Sequence, residues 1–151
     1  MDCLIRIATS EDAIAISRVV CDALRETNAK DYTPTVIDLV EQSFSPEAIL
    51  HFLTQRQVYV ATIGHQVVAT ASLDQDVVRS VFVNPSHQGK GIGKQLMVKI
   101  QSAAVGVGIK LLRVPSSITA VGFYASLGFK KVRDEFHGAE RTIIMEQRLE
   151  L

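Results

Sequence analysis

Apolar and polar residues recur at two periods along this 151-residue chain. The points where one period gives way to the other predict its elements. Leu4-Ile5-Arg6-Ile7-Ala8 reads as a short first strand. Thr9 or Ser10 then caps a helix, with Glu11 and Asp12 favourable in its first turn and Ala13, Ile16, Val20 and Ala23 as its apolar face. Residues 27–45 hold no clear period, although Thr35 to Phe44 offers a second helix. Ser45-Pro46-Glu47 starts a third, with proline at the first helical position and Ile49, Leu50 and Leu53 as the buried face.

The pattern then turns to strands. Val58 to Ile63 leads through Gly64-His65-Gln66 into Val67 to Leu73, and Asp74-Gln75-Asp76 leads into Val77 to Val83. Connections this short make an antiparallel meander. Ile92, Leu96, Ile100 and Ala103 share one face of a long helix that runs to about Val105, where Gly106 and Gly108 end it. Ile109 to Val114 is the next strand, stopped by Pro115. A strand, a crossover helix and a strand make Val77–Val83 and Ile109–Val114 a parallel pair. Ile118 to Leu127 is a short helix closed by Gly128, and Phe129–Phe136 and Arg141–Arg148 form a hairpin across His137-Gly138-Ala139-Glu140. The expected fold is mixed α/β: a largely antiparallel sheet with one parallel pair and helices on both faces. No repeat, linker or low-complexity stretch divides it, so residues 1–151 are expected to form a single domain.

Composition narrows the function classes. A net charge of zero argues against general binding to nucleic acid or to an acidic membrane. No apolar run reaches the roughly 18 residues of a membrane span, and no secretory leader is visible. Cys3 and Cys21 are the only cysteines, with no metal-ligand spacing, as for two free thiols in a reducing cytoplasm. A homodimer is the base-rate expectation for assembly.

The candidate chemistry lies between the third strand of the meander and the long helix. Val81-Phe82-Val83 ends the strand, Asn84-Pro85-Ser86 breaks it, and Gln88-Gly89-Lys90-Gly91-Ile92-Gly93-Lys94 follows. Glycines let a ligand approach the backbone, the first N–H groups of a helix lack partners, and the helix dipole favours an anion there. Lys90 and Lys94 add positive charge. Spacing decides which phosphate ligand is meant. A P-loop needs glycine and Ser/Thr where Gln88 and Gln95 stand, and a dinucleotide fingerprint needs glycine where Lys94 or Leu96 stands. Both fail.

Gln88-x-x-Gly91-x-Gly93 after a Val-x-Val-x-Pro strand end resembles the acetyl-CoA loop of the GNAT acetyltransferase superfamily. Ala120-Val121-Gly122-Phe123-Tyr124-Ala125-Ser126-Leu127-Gly128-Phe129 resembles that superfamily's A-x-x-F-Y-x-x-L-G-F segment. The resemblance covers residues 58–148 best. It implies the GNAT acyl-CoA N-acyltransferase fold, with its sheet splayed between Val77–Val83 and Ile109–Val114, and transfer of an acetyl group from acetyl-CoA to a primary amine of a small molecule or peptide. The alternatives are acetylation of a protein N-terminus or lysine, or a non-catalytic acyl-CoA sensor. The resemblance also implies the roles. Main-chain groups of Val81, Phe82 and Val83 hold the pantetheine arm, and Gly89, Lys90, Gly91, Ile92, Gly93 and Lys94 take the pyrophosphate with Gln88. Tyr124 protonates the departing thiolate. Ser117 stands where many members carry a cofactor-binding asparagine. The strand glutamate that serves many members as base has no counterpart, since this strand offers Asp76, Arg79 and Ser80. Asp31, Tyr32, Glu41, His137 and Glu140 fall in the segments expected to line the acceptor pocket. No metal is expected.

Overall fold

The computed structural model describes residues 2–149. One seven-stranded sheet runs in the order β1-β2-β3-β4-β5-β7-β6. Its strands are β1 (Cys3–Ile7), β2 (Gln57–Ile63), β3 (Gln66–Asp74), β4 (Val77–Val83), β5 (Leu111–Ser117), β6 (Lys130–His137) and β7 (Glu140–Arg148). The helices are α1 (Ala13–Glu26), α2 (Pro34–Gln42), α3 (Pro46–Gln55), α4 (Ile92–Gly106) and α5 (Val121–Ser126). Every strand pair is antiparallel except β4 and β5. The expected fold class and the meander are therefore found.

Alternation along the strands divides the core in two. Val58 and Val60 of β2 and Phe82 of β4 face α1, α2 and α3, packing on Ile16, Val20, Ile37 and Ile49. Tyr59 and Ala61 of β2 face the other way, onto the Leu96 and Ile100 face of α4 and onto α5. The α1 positions Ala13, Ile16, Val20 and Ala23 are all buried. No helix among the described residues is long and apolar enough to cross a membrane.

Two local features mark where the sheet opens. Thr70 pairs with Phe82 but Ser72 pairs with Arg79, so Ala71 faces the two residues Ser80 and Val81. Ser80 takes the extra residue's conformation, at φ +56°. A bulge bends its strand. Beyond it β4 leaves β5, and their pairing reduces to Val77 with Arg113. The second feature is Pro115. It does not stop β5, as expected, but lies within it, paired to Ile144 of β7. Arg113 donates its N–H to the Asp76 carbonyl on the β4 side (2.9 Å). Alternate residues of a strand point the same way, so the missing N–H of Pro115 faces the opening, where no partner strand requires it.

Two helix boundaries and one burial also differ from expectation. Helix α2 begins at Pro34 instead of Thr35, because the Thr33 hydroxyl caps it by accepting from the Val36 N–H (3.3 Å). Helix α5 is shorter than residues 118–127, since residues 118–120 form the turn that leads into it. Leu50 is 42% exposed, not buried. The buried face of α3 is Ile49 with Phe52 and Leu53, because the Phe52 ring packs edge-on against Phe44 (centroids 6.1 Å apart).

Candidate functional site

The loop after β4 has the form of an anion cradle. Asn84 caps a 3-10 turn by accepting from the Ser86 N–H (3.0 Å). Gln88 fixes the loop's start by donating to the Thr27 hydroxyl (3.1 Å) at the end of α1 and to the Val83 carbonyl (3.2 Å). Gly89 and Gly91 then adopt φ +77° and +80°, which L side chains rarely adopt. A Cβ at either would meet no protein atom within 4 Å, so the space in front of them is open. Among the described residues, none of the N–H groups from Gly89 to Lys94 donates to a protein acceptor, and the first backbone bond of α4 runs from the Gln95 N–H to the Gly91 carbonyl. Gly93 serves a different purpose: a Cβ there would sit 3.2 Å from the Phe123 ring, so its absence lets α4 pack on α5. Lys94 lines the cleft below the loop, whereas Lys90 is exposed and stands off its wall.

From the cradle the cleft runs back along β4 into the splay, enclosing about 730 Å³. Asn84 donates to Val68 of β3 (2.8 Å), so by alternation Val83 and Val81 turn their N–H groups toward the opening. Phe82 instead sends its side chain toward α1 and α2. On the opposite wall, Ser117 lines the cleft and its hydroxyl accepts from the Ala120 N–H (3.2 Å), leaving its proton free to donate. Ser116 is buried and donates to the Ser117 carbonyl (2.7 Å).

Tyr124 forms part of the floor. Its ring packs edge-on between Phe123 and Phe129, with centroids 5.1 and 5.5 Å away. The residue is 4% exposed. Its hydroxyl meets no hydrogen-bonding protein group among the described residues, yet it is not a sealed unsatisfied atom, and it opens onto the cleft. Burial pushes its pKa far above the ordinary phenol value.

The far lobe is walled by α1, α2 and the bulged part of β4. Of the expected acceptor residues, Tyr32, His137 and Glu140 line it. Glu140 is the one carboxylate on the cleft wall among the described residues. Asp31 and Glu41 are elsewhere. The Asp31 carboxylate accepts from Thr119 (2.8 Å), and Glu41 pairs with Arg25 of α1 (2.6 Å), because α2 lies across α1 with that edge outward. Tyr32 does more than line the lobe. Its hydroxyl donates to the Arg141 carbonyl (2.7 Å) and accepts from the Ile118 N–H (2.7 Å).

Two arginines on this wall were missed or passed over in the sequence. Arg79 pairs with Asp74 (3.2 Å) at a largely solvated position. Arg56 is half-buried, with its guanidinium 3.9 Å from the Phe52 ring centroid. It donates to the Ser80 hydroxyl (3.3 Å) in the bulge and has no carboxylate partner among the described residues. Burial first, and then Arg79, pull its pKa below the usual guanidinium value. A lone arginine between Phe52 and Val58 carries no pattern that marks it in advance.

The cradle and the open strand edge fit acetyl-CoA. Unpartnered N–H groups suit a pyrophosphate, and exposed main chain suits an amide-bearing arm. Comparison with known proteins agrees. A family profile described as an acetyltransferase (GNAT) domain matches residues 28–145. A peptidyl-lysine N-acetyltransferase, YjaB, from Salmonella typhimurium is 30% identical over 120 residues, 80% of this chain and 76% of that protein. Among solved structures, a GCN5-related N-acetyltransferase from Rhodopseudomonas palustris superposes with a TM-score of 0.93 at 20% identity, covering 99% of this chain and 97% of its own. PaiA N-acetyltransferase from Thermoplasma acidophilum, in complex with coenzyme A, gives 0.84 at 22% identity, covering 98% and 99%.

Proposed function

This chain belongs to the GNAT acetyltransferase family and is an acetyl-CoA-dependent N-acetyltransferase, and we propose that the cleft along β4 acetylates a primary amine of a small molecule or a peptide, with residues 1–151 acting as a single domain. One observation carries the reading. The unpartnered N–H groups of the Gly89–Lys94 loop stand at the mouth of a strand pair that has come apart. When bound, acetyl-CoA supplies a thioester whose carbonyl carbon bonds to the amine nitrogen while the C–S bond breaks.

The chain's own residues do the rest. The cradle from Gly89 to Lys94, positioned by Gln88, holds the pyrophosphate. Val81 and Val83 hold the arm as an added strand would, and one of their N–H groups polarises the carbonyl. Phe82 walls the arm with its ring. Ser117 donates its free hydroxyl proton to the arm. Tyr124 gives its proton to the sulfur as the bond breaks. Glu140 takes the surplus amine proton through water. It lines the lobe from which the amine must arrive and has no carboxylate rival on that wall among the described residues.

The similarity to a peptidyl-lysine N-acetyltransferase favours a lysine side chain among peptide acceptors. Two free cysteines are in keeping with a cytoplasmic site of action. A homodimer is the assembly to test for by light scattering. Calorimetry tests the core of the reading: acetyl-CoA binds with a micromolar Kd, about −8 kcal/mol, and NADH does not bind. Thiol release on adding a panel of amines and lysine peptides then separates a catalyst from a binding protein. Absence of acetyl-CoA binding overturns the reading.

A further inference from the structure

We propose that the amine acceptor carries a carboxylate, and that Arg56, with Arg79 nearby, receives it at the end of the cleft opposite the phosphate cradle. The inference rests on the acetyl-transfer reading above and names the acceptor class for the same site.

Strand β4 orders the cleft. Read back from its C-terminal end, it passes from the cradle, through the open main chain of Val83 and Val81, to Ser80 and Arg79. The thioester arm occupies the first part, so the acceptor lies beyond it, at the bulge. There the wall is cationic. Arg79 is balanced by Asp74, but Arg56 has only the Ser80 hydroxyl. A half-buried guanidinium loses hydration and regains it only from an acceptor atom, and a ring face and one hydroxyl leave most of its five donors unmatched. Its fixed planar fork matches a carboxylate with two parallel hydrogen bonds.

Position is already set. Phe52 lies under the guanidinium, Phe44 packs on Phe52, and Phe82 packs on Phe44 (centroids 5.7 Å apart). That ladder of rings reaches from Arg56 to the strand segment that holds the arm. The arginines also explain a selection. Glu140 lines the same lobe, but beside Arg56 a bare ammonium group meets a guanidinium with no carboxylate partner, whereas an amine tethered to a carboxylate brings its own counter-charge. One unbalanced arginine matches one carboxylate charge. Two sources share this chemistry: an ω-amino acid, and a peptide with an acidic side chain beside the acetylated lysine.

The test compares matched acceptors. Thiol release is measured with ω-amino acids of increasing length against their carboxamides, and with an Asp-Lys against an Asn-Lys peptide, both blocked at their ends. The acid of at least one pair is preferred by about ten- to a hundredfold in kcat/KM, mostly through KM. Which pair shows it distinguishes the two sources. In Arg56→Gln the acid-to-amide ratio collapses toward one, Arg56→Lys restores part of it, and the acetyl-CoA Kd holds. Calorimetry of the CoA-loaded protein with the acetylated products of the same pairs reads the site without turnover. Acid-selective binding lost in Arg56→Gln supports the proposal even where no amine is turned over, a result that would count against the enzyme reading alone. Amides equal to acids in the wild type, or an Arg56→Gln variant that keeps the preference, overturns it.

Discussion

At the scale of single residues, Gly91 and Tyr124 make separable predictions. Gly91 is glycine for two reasons, its φ of +80° and the open space before it. Gly91→Val would test both at once, since a β-branched residue in that conformation strains the whole loop. Gly91→Ala is the cleaner change. It costs about 1–2 kcal/mol in backbone strain and meets no protein atom, so the protein stays folded while the Cβ enters the ligand's space. Calorimetry should show the acetyl-CoA Kd raised by at least about tenfold. An unchanged Kd would remove the loop from the binding site. Tyr124→Phe keeps the packing between Phe123 and Phe129 and removes only the hydroxyl that opens onto the cleft. The expected loss is on the order of 10² to 10⁴ in kcat with little change in acetyl-CoA affinity. Acyl donors with a more acidic thiol should suffer less. The dry pocket that raises the phenol's pKa raises that of a departing thiol too, so the gap between donor and acceptor widens less than the phenol's shift alone would give. Because its pKa lies above the ordinary value, Tyr124 stays protonated to at least about pH 10, and the wild-type-to-variant ratio should be flat below that. A fall in that ratio between neutral and mildly alkaline pH would assign the proton to another group.

At the scale of elements, the junction of β1 and α1 carries a pH prediction. The Asp12 carboxylate accepts two bonds from Arg6 of β1 (2.8 and 2.9 Å) and one from the Thr9 N–H (2.8 Å). It thus ties a strand to the helix that walls the far lobe of the cleft. The Arg6 bonds, then the Thr9 N–H, hold its pKa below the usual carboxylate value. A depressed folded pKa means stability that is present above the unfolded value of about 3.9 and lost as pH falls through the folded value. Asp12→Asn should cost about 1–3 kcal/mol near neutral pH in denaturant unfolding, and that difference should shrink toward zero in acid. A pH-independent difference would place the effect in packing. The elements themselves were mostly legible. Period-two runs marked the meander, and the loop glycines marked the cradle, because both signals are local. What escaped depended on distant partners. Pro115 ends a strand in most settings and is tolerated here only because β4 has moved away. Glu41 looked like an acceptor residue until α2 turned it onto Arg25. Arg56 gains meaning only from the bulge at Ser80, a register shift that no run of residue types announces.

At the scale of the whole molecule, the splay creates a problem that Tyr32 answers. A sheet opened between β4 and β5 is held there by one residue pair, and the lobe beyond it is roofed by the segment before α2. Tyr32 fastens that roof to the other half of the sheet. Its hydroxyl bonds the Ile118 N–H and the Arg141 carbonyl, 86 and 109 residues away in the chain. The bond to the Arg141 carbonyl requires the neutral phenol, which burial keeps protonated beyond its ordinary range although the Ile118 N–H pulls the other way. The raised folded pKa means that this contribution is complete below the unfolded value of about 10 and lost only as pH rises through the folded one. Tyr32→Phe keeps the ring and removes both bonds, leaving a part-buried N–H and a carbonyl without their partner. The cost should be about 1–3 kcal/mol, or a Tm lower by several degrees for a chain of this length. The catalytic effect should be selective. Acceptor KM should rise because the roof is no longer fixed over the lobe, while acetyl-CoA affinity stays near wild type, since the cradle from Gly89 to Lys94 is tied to Thr27 and Val83 through Gln88. Equal loss of affinity for both substrates would mean that the two halves of the cleft are one mechanical unit. No change in acceptor KM would mean that Asp31, bonded to Thr119, holds the roof alone.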